Sequence, residues 1–165
     1  FNTHINPFEI LPGLWTTGQI PREYDEKNWS QLGKMINNNG EKIEDTIPED
    51  QSLFFDTKNG IVLISGCGHA GLANTLEHIK KIVPNRPIYK IIGGFHLLKL
   101  NDEKLEWTAK KMKKAGVKYF VGAHCTGLNS TYTIRNFMGL NSKTALVGSV
   151  GTYITNEGIF PGYME

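Results

Sequence analysis

The sequence predicts an α/β fold, and three features of its 165 residues carry that expectation. Short apolar runs at Ile61–Ile64, Ile88–Ile92 and Val117–Val121 read as strands buried on both faces. Stretches with helical spacing of apolar residues lie between them. Each run ends in a glycine-bearing turn, so the order is strand, helix, strand, helix, strand.

In chain order, Leu11-Pro12-Gly13-Leu14-Trp15-Thr16-Thr17-Gly18 reads as a short strand entered through a Pro-Gly turn. Residues Arg22 to Asp50 are polar, with Asn37-Asn38-Asn39-Gly40 at their centre. They read as a surface excursion within a single domain covering 1–165, long enough to be functional or mobile. Leu53 to Thr57 and Gly60 to Ser65 form two strands about an Asn-Gly turn at Lys58-Asn59-Gly60. A helix follows from about Gly71, with Leu72, Leu76, Ile79 and Val83 on one stripe, and Pro84 stops it.

Strand Ile88–Ile92 ends at Gly93-Gly94. Asn101 then caps a second helix with Asp102 and Glu103 in its first turn, and Gly116 closes it. Lys110, Lys111, Lys113 and Lys114 near its end complement the helix dipole on a solvated face. Ser130 to Met138 reads as a short helix. Ala145–Val147 and Thr152–Ile154 read as closing strands.

Composition narrows the function classes. Apolar residues make up 39% and charged residues 21%, enough for a real core. Eighteen basic against sixteen acidic residues leave a net charge of +2, which gives no electrostatic case for nucleic acid or an anionic membrane. Two cysteines exclude a disulfide-dense scaffold. The longest apolar run, around Ile61 to Ser65, is too short to span a bilayer. No charged-then-apolar leader opens the chain, so a cytoplasmic location is expected. The chain starts at Phe1 rather than Met, and further polypeptide upstream is expected.

The chemistry concentrates at the strand ends. The first buried strand ends in Gly66-Cys67-Gly68-His69-Ala70-Gly71, the second in Gly93-Gly94-Phe95-His96, the third in Gly122-Ala123-His124-Cys125-Thr126-Gly127. In α/β folds ligands bind beyond the carboxyl ends of strands. A single histidine in such a turn is an ordinary hydrogen-bonded residue. The same placement three times points to a metal, because imidazole is the commonest neutral ligand and zinc takes three or four N, O or S donors. Cys67 and Cys125 complete such a site, form a redox pair, or pack as small residues under the turns. Residues 66–71 also match GxGxxG between a strand and a helix, the context of a dinucleotide fingerprint. The acidic residue expected to close the next strand is absent, since that strand ends Ile91-Ile92-Gly93-Gly94.

These residues carry a resemblance. Gly60 to Gly71, Gly93-Gly94-Phe95-His96-Leu97-Leu98 and Ala123-His124-Cys125-Thr126-Gly127 are similar to one branch of the metallo-β-lactamase-fold superfamily. That branch holds metal-dependent hydrolases and dihydropterin ribofuranosyl-aminobenzene phosphate synthases linked to methanopterin synthesis. Leu11 to Arg22 and Val147-Gly148-Ser149-Val150-Gly151 resemble it too. The resemblance implies half of an αββα sandwich, a mixed sheet with flanking helices. It implies a mononuclear or dinuclear site with Zn²⁺, or Mn²⁺ or Fe²⁺, one or two ions per complete fold. His69 and His124 match metal ligands of the family. His96 matches a position that binds metal or substrate, with a catalytic role in polarising substrate or donating a proton. Cys67, Gly68, Phe95 and Cys125 are implied substrate contacts, and Arg22, in the matching Ile20-Pro21-Arg22 run, a contact to an anion.

The family's HxHxDH motif is absent, and no Asp follows any of the three buried strands. His4 has no partner at that spacing, and Asp56 lies inside a strand. The chain is therefore expected to be the C-terminal portion of the fold, completed by a missing N-terminal half or by a second copy of itself. The expected activity is metal-dependent hydrolysis of a small-molecule substrate: a phosphate ester, phosphodiester or pterin-linked phosphate. The alternative is a non-catalytic module with a vestigial or partner-completed site.

Overall fold

The computed structural model describes residues 4–26 and 34–162; residues 27–33 of the predicted excursion lie outside them. Strands β1 (Phe8–Leu11), β2 (Leu14–Thr16), β5 (Ser52–Thr57), β6 (Gly60–Ser65), β7 (Ile88–Gly93), β8 (Tyr119–Gly122) and β9 (Ala145–Val147) form one seven-stranded mixed sheet. Its spatial order is β1-β2-β5-β6-β7-β8-β9. The pairs from β1 to β6 are antiparallel. The pairs from β6 to β9 are parallel. Helices α1 (Leu72–Ile82), α2 (Asp102–Ala115) and α3 (Leu128–Met138) make the parallel crossovers.

Local signals explain most boundaries. The β5–β6 hairpin turns through Lys58-Asn59, with Thr57 opposite Gly60. Asn101 caps α2 by accepting from the Lys104 N–H at 3.0 Å. Gly116 ends α2 in the left-handed conformation at φ 97°. Pro12-Gly13 leads into β2 as expected, and β1 before it makes the turn a hairpin. Other expectations need correction. The third helix begins at Leu128, ahead of the predicted Ser130. Thr152–Ile154 does not close the sheet, because β10 (Tyr153–Ile154) pairs only with β11 (Ile159–Phe160) in a separate two-stranded unit. The excursion contains a hairpin of its own, β3 (Lys34–Ile36) with β4 (Lys42–Glu44). Its loop is held by the Asn37 Oδ1, which accepts from Asn39 N and Glu41 N at 2.9 Å each.

The sheet has two unlike faces. Phe54, Ile61, Leu63, Ile91 and Phe120 point toward the helices and pack in one buried cluster with Leu72, Leu76, Met112 and Ile134. Leu53, Phe55 and Ile64 alternate onto the opposite face and are 38–40% exposed. Part of that face is covered by the β10–β11 unit. There the buried Lys90 donates from Nζ to the carbonyls of Thr155 at 2.6 Å and Asn156 at 3.3 Å. Among the described residues no helix is long and apolar enough to cross a membrane.

The start of the excursion is pinned to α1. The Glu26 carboxylate accepts from Ala73 N at 3.1 Å and Asn74 N at 2.8 Å, satisfying donors that the helix leaves free at its first turn. Burial raises the Glu26 pKa, and the hydrogen bonds from Asn74 and Ala73 oppose that rise. The buried Asn74 side chain accepts from the N–H groups of Glu23 and Tyr24 at 2.8 and 2.7 Å.

Two consequences are measurable by urea denaturation. Phe54→Ala is expected to lower stability by about 3–5 kcal/mol and Phe55→Ala by under about 1 kcal/mol, because only the first empties the core. Glu26→Ala, which strips the α1 N-terminus of its acceptor, is expected to lower it by about 1–3 kcal/mol.

Candidate metal centre

Three parallel strand ends lie level with one another. Ser65 of β6 is opposite Gly93 of β7, and Gly93 is opposite Gly122 of β8. The backbones then approach too closely for side chains. A Cβ on Gly93, which has φ 133°, would sit 1.9 Å from the Ser65 carbonyl oxygen. A Cβ on Gly94 would sit 2.3 Å from the Gly66 carbonyl oxygen. These two glycines let the three following loops nest at one edge.

Thr126, fully buried, ties the loops together. Its hydroxyl donates to the Gly93 carbonyl at 3.0 Å and accepts from Phe95 N at 3.1 Å. Ser130 Oγ donates to the Leu97 carbonyl at 2.8 Å. His96 and His124 both sit in left-handed backbone, at φ 50° and 49°. Such conformations cost about 1–3 kcal/mol each and persist where the surroundings over-determine them, often at functional sites.

The side chains meet as follows. Cys67 Sγ lies 3.0 Å from Cys125 Sγ and 3.4 Å from His96 Nδ1. Cys125 Sγ accepts from His96 N at 3.2 Å and donates to the Cys67 carbonyl at 3.2 Å. The His69 and His96 rings are edge to face at 4.7 Å. Among the described residues, two groups of three could hold a metal ion: Cys67, His124 and Cys125, and Cys67, His69 and His96. Within each, the donor atoms lie within 4.8 Å of one another. The remaining described histidines are elsewhere. His4 stacks on Phe8 at 4.0 Å, and His78 Nε2 contacts the Thr17 carbonyl at 3.0 Å.

Burial favours the neutral forms of Cys67 and His96. Burial pushes the Cys67 thiol up to about 12, helped by the adjacent Cys125 and then by the negative charge of Asp50. Burial also pushes the His96 pKa down, with the neighbouring His69, His124 and Lys99 adding to the shift and Asp50 opposing it. Neutral imidazole is the metal-binding form. A cation is what releases a proton from such a thiol. The donor chemistry therefore fits a metal. A Cβ on Gly94 would also crowd Cys125 Sγ at 3.1 Å and Cys67 Cα at 3.2 Å, so the glycine is what lets the loops bearing the two cysteines come together.

A cavity of about 420 Å³ adjoins the cluster, with His96 in its wall. Phe95, Leu97 and Trp107 give it an apolar lining, and Gly68, Lys99 and Lys104 also reach it. Arg22 is not brought to this cavity. Its guanidinium donates to the Glu26 carbonyl at 3.2 Å and to the Thr46 carbonyl, and it lines a separate cleft with Asp50 and His78. Sequence reasoning missed Asp50, whose Oδ2 accepts from Ala70 N at 2.8 Å, one residue past His69. A carboxylate thus reaches the site from the excursion, where no strand periodicity marks it. The dinucleotide reading fails on geometry. The α1 N-terminus, where a pyrophosphate would bind, already holds the Glu26 carboxylate.

No family model matches the chain. It is 33% identical over 129 residues to the 7,8-dihydropterin-6-methyl-4-(β-D-ribofuranosyl)-aminobenzene-5'-phosphate synthase of Methanocaldococcus jannaschii, covering 76% of this chain and 43% of that protein. It is 30% identical over 125 residues to an uncharacterised protein of the same organism, covering 75% of this chain and 44% of that one. Among solved structures it resembles a metal-dependent hydrolase of the β-lactamase superfamily with a TM-score of 0.70 and 30% identity, over 80% of this chain and 50% of that chain. The chain spans about half the length of the relatives it matches. The level strand ends, the histidines and cysteines gathered there, and these likenesses show the fold of the metallo-β-lactamase superfamily and a similarity to part of the dihydropterin ribofuranosyl-aminobenzene phosphate synthase.

Proposed function

We propose that this chain supplies part of the metal centre and the substrate cavity of a metal-dependent hydrolase acting on a phosphorylated small molecule. The carrying observation is the junction of the Cys/His cluster with the 420 Å³ cavity at His96. Nitrogen and sulfur donors suit zinc better than magnesium or calcium, with iron as the alternative. His69, with Cys67 and His96, or His124, with Cys67 and Cys125, would hold the metal. When bound, a divalent ion supplies Lewis acidity and brings the pKa of a coordinated water toward neutrality.

The chain's own residues do the rest. Phe95, Leu97 and Trp107 present an apolar surface to an organic moiety and exclude water from it. Lys99 and Lys104 supply positive charge for a phosphate group, at the end of a cavity that Asp25 and Glu26 also line. His96 is common to the cluster and the cavity, so it fixes where the reacting bond meets the nucleophile. The relative's product name combines a pterin, an aminobenzene and a ribose phosphate, which agrees with a cavity that takes an aromatic body and an anionic end. The exposed Leu53, Phe55 and Ile64 support a further element of the sandwich covering that face, either the rest of the fold or a second copy.

A second reading is a metal-binding module without turnover. Metal analysis of the purified chain and hydrolysis of bis(p-nitrophenyl) phosphate separate the two. His69→Ala and His124→Ala are each expected to weaken zinc uptake at least about tenfold, with an unchanged circular-dichroism spectrum and loss of phosphodiester turnover. Uptake without turnover supports the binding module. Uptake that survives both substitutions overturns the metal assignment.

A further inference from the structure

Two free thiols meet at the end of β7, one from the loop after β6 and one from the loop after β8. Cys67 Sγ and Cys125 Sγ lie 3.0 Å apart, although 58 positions separate them in sequence. That spacing falls between two bonded states. A tetrahedral zinc with Zn–S bonds of about 2.3 Å holds two sulfurs roughly 3.8 Å apart. A disulfide holds them about 2.05 Å apart. The resting pair is about equally far from either. The backbone keeps it there, because Cys125 Sγ accepts from His96 N and donates to the Cys67 carbonyl, at 3.2 Å each. Both cysteines are only partly buried, so a small solute reaches the sulfurs. Burial holds Cys67 as a thiol, which slows its reaction without altering the bond within its reach.

The same two sulfurs are shared with the metal-competent groups. Cys67 belongs to both groups and Cys125 to one. A bond between them leaves His69 with His96 on one side and His124 alone on the other. Neither set reaches the three protein donors of a catalytic zinc.

We propose that Cys67 and Cys125 form a redox modification site, a reversible disulfide within the chain that disables metal binding. The disabling rests on the metal reading above; the bond does not. The oxidant is a hydroperoxide. Hydrogen peroxide converts one thiol to a sulfenic acid and releases water. The other thiol displaces the hydroxyl, which forms the S–S bond and releases a second water. The two sulfurs together give up two electrons, and the peroxide takes them. A small dithiol returns both cysteines to thiols by exchange and is itself oxidised to a disulfide.

The test is treatment of the reduced, metal-free chain with stoichiometric hydrogen peroxide, read by intact mass, thiol titration and cobalt(II) uptake. Both thiols are expected to disappear with the loss of two hydrogens from the chain, which still runs as a single polypeptide on a non-reducing denaturing gel. With two cysteines in the sequence, that loss identifies the bond. The oxidised chain should take up cobalt at least about tenfold more weakly, with an unchanged circular-dichroism spectrum. Dithiothreitol should restore the uptake. The urea midpoint of the oxidised chain should rise, because the bond closes a long loop in the unfolded state. Thiols that survive the treatment, or a bond between two chains, overturn the proposal and leave the metal reading intact. A disulfide that leaves cobalt uptake unchanged overturns its coupling to the metal site. Absence of cobalt uptake by the reduced chain overturns the metal reading, while the mass still decides the bond.

Discussion

The site depends on the parallel pairing of β6, β7 and β8 in one register, with glycine at the level where the strands end. Ser65, Gly93 and Gly122 share a row. A one-residue slip of a strand turns every side chain to the other face. Such a slip in β7 would carry Ile91 out of the core and move His96 away from Cys67 together. The hydrophobic cluster under the helices is thus what fixes the position of the donors. The glycines then remove the steric barrier to convergence, since any side chain on Gly93 would collide with the Ser65 carbonyl. Thr126 completes the arrangement by joining the loop after β8 to the loop after β7 through both its donor and its acceptor.

Much of this was legible because it is local. Continuous apolar runs marked β6, β7 and β8, and Asn101 and Gly116 marked the ends of α2 by chemistry within one turn. The three histidines were visible because each follows a strand, and a strand end has a fixed place in an α/β sheet. What stayed hidden is non-local. Glu26 and Asp50 act on α1 and its preceding turn from 47 and 20 residues away in sequence, inside a polar stretch with no periodicity. The β3–β4 hairpin is mostly exposed on both faces, so no alternation announced it. Thr152–Ile154 has strand composition. Which strand it pairs with is decided by Lys90, whose ammonium holds the β10–β11 turn over the sheet.

The sidedness of the sheet bears on how the site is built. One face is closed by three helices, and its core is complete without any residue of the metal cluster. The other presents Leu53, Phe55 and Ile64 to solvent. The donors lie at the edge between these faces, where loops from the closed side end. This chain therefore brings its donors on supports anchored in its own core, beside a face that carries exposed apolar residues.

The donors are positioned by the hydrogen bonds of the loops that carry them. His96 and His124 are held in left-handed conformations by hydrogen bonds of the loops around them. Burial raises the Cys67 pKa and lowers that of His96, so these two neighbouring donors favour their neutral forms. The strain is offset by the packed sheet and helices. The loops that carry this strain also set His96 in both the donor cluster and the wall of the adjoining cavity, so one packed scaffold positions the two together.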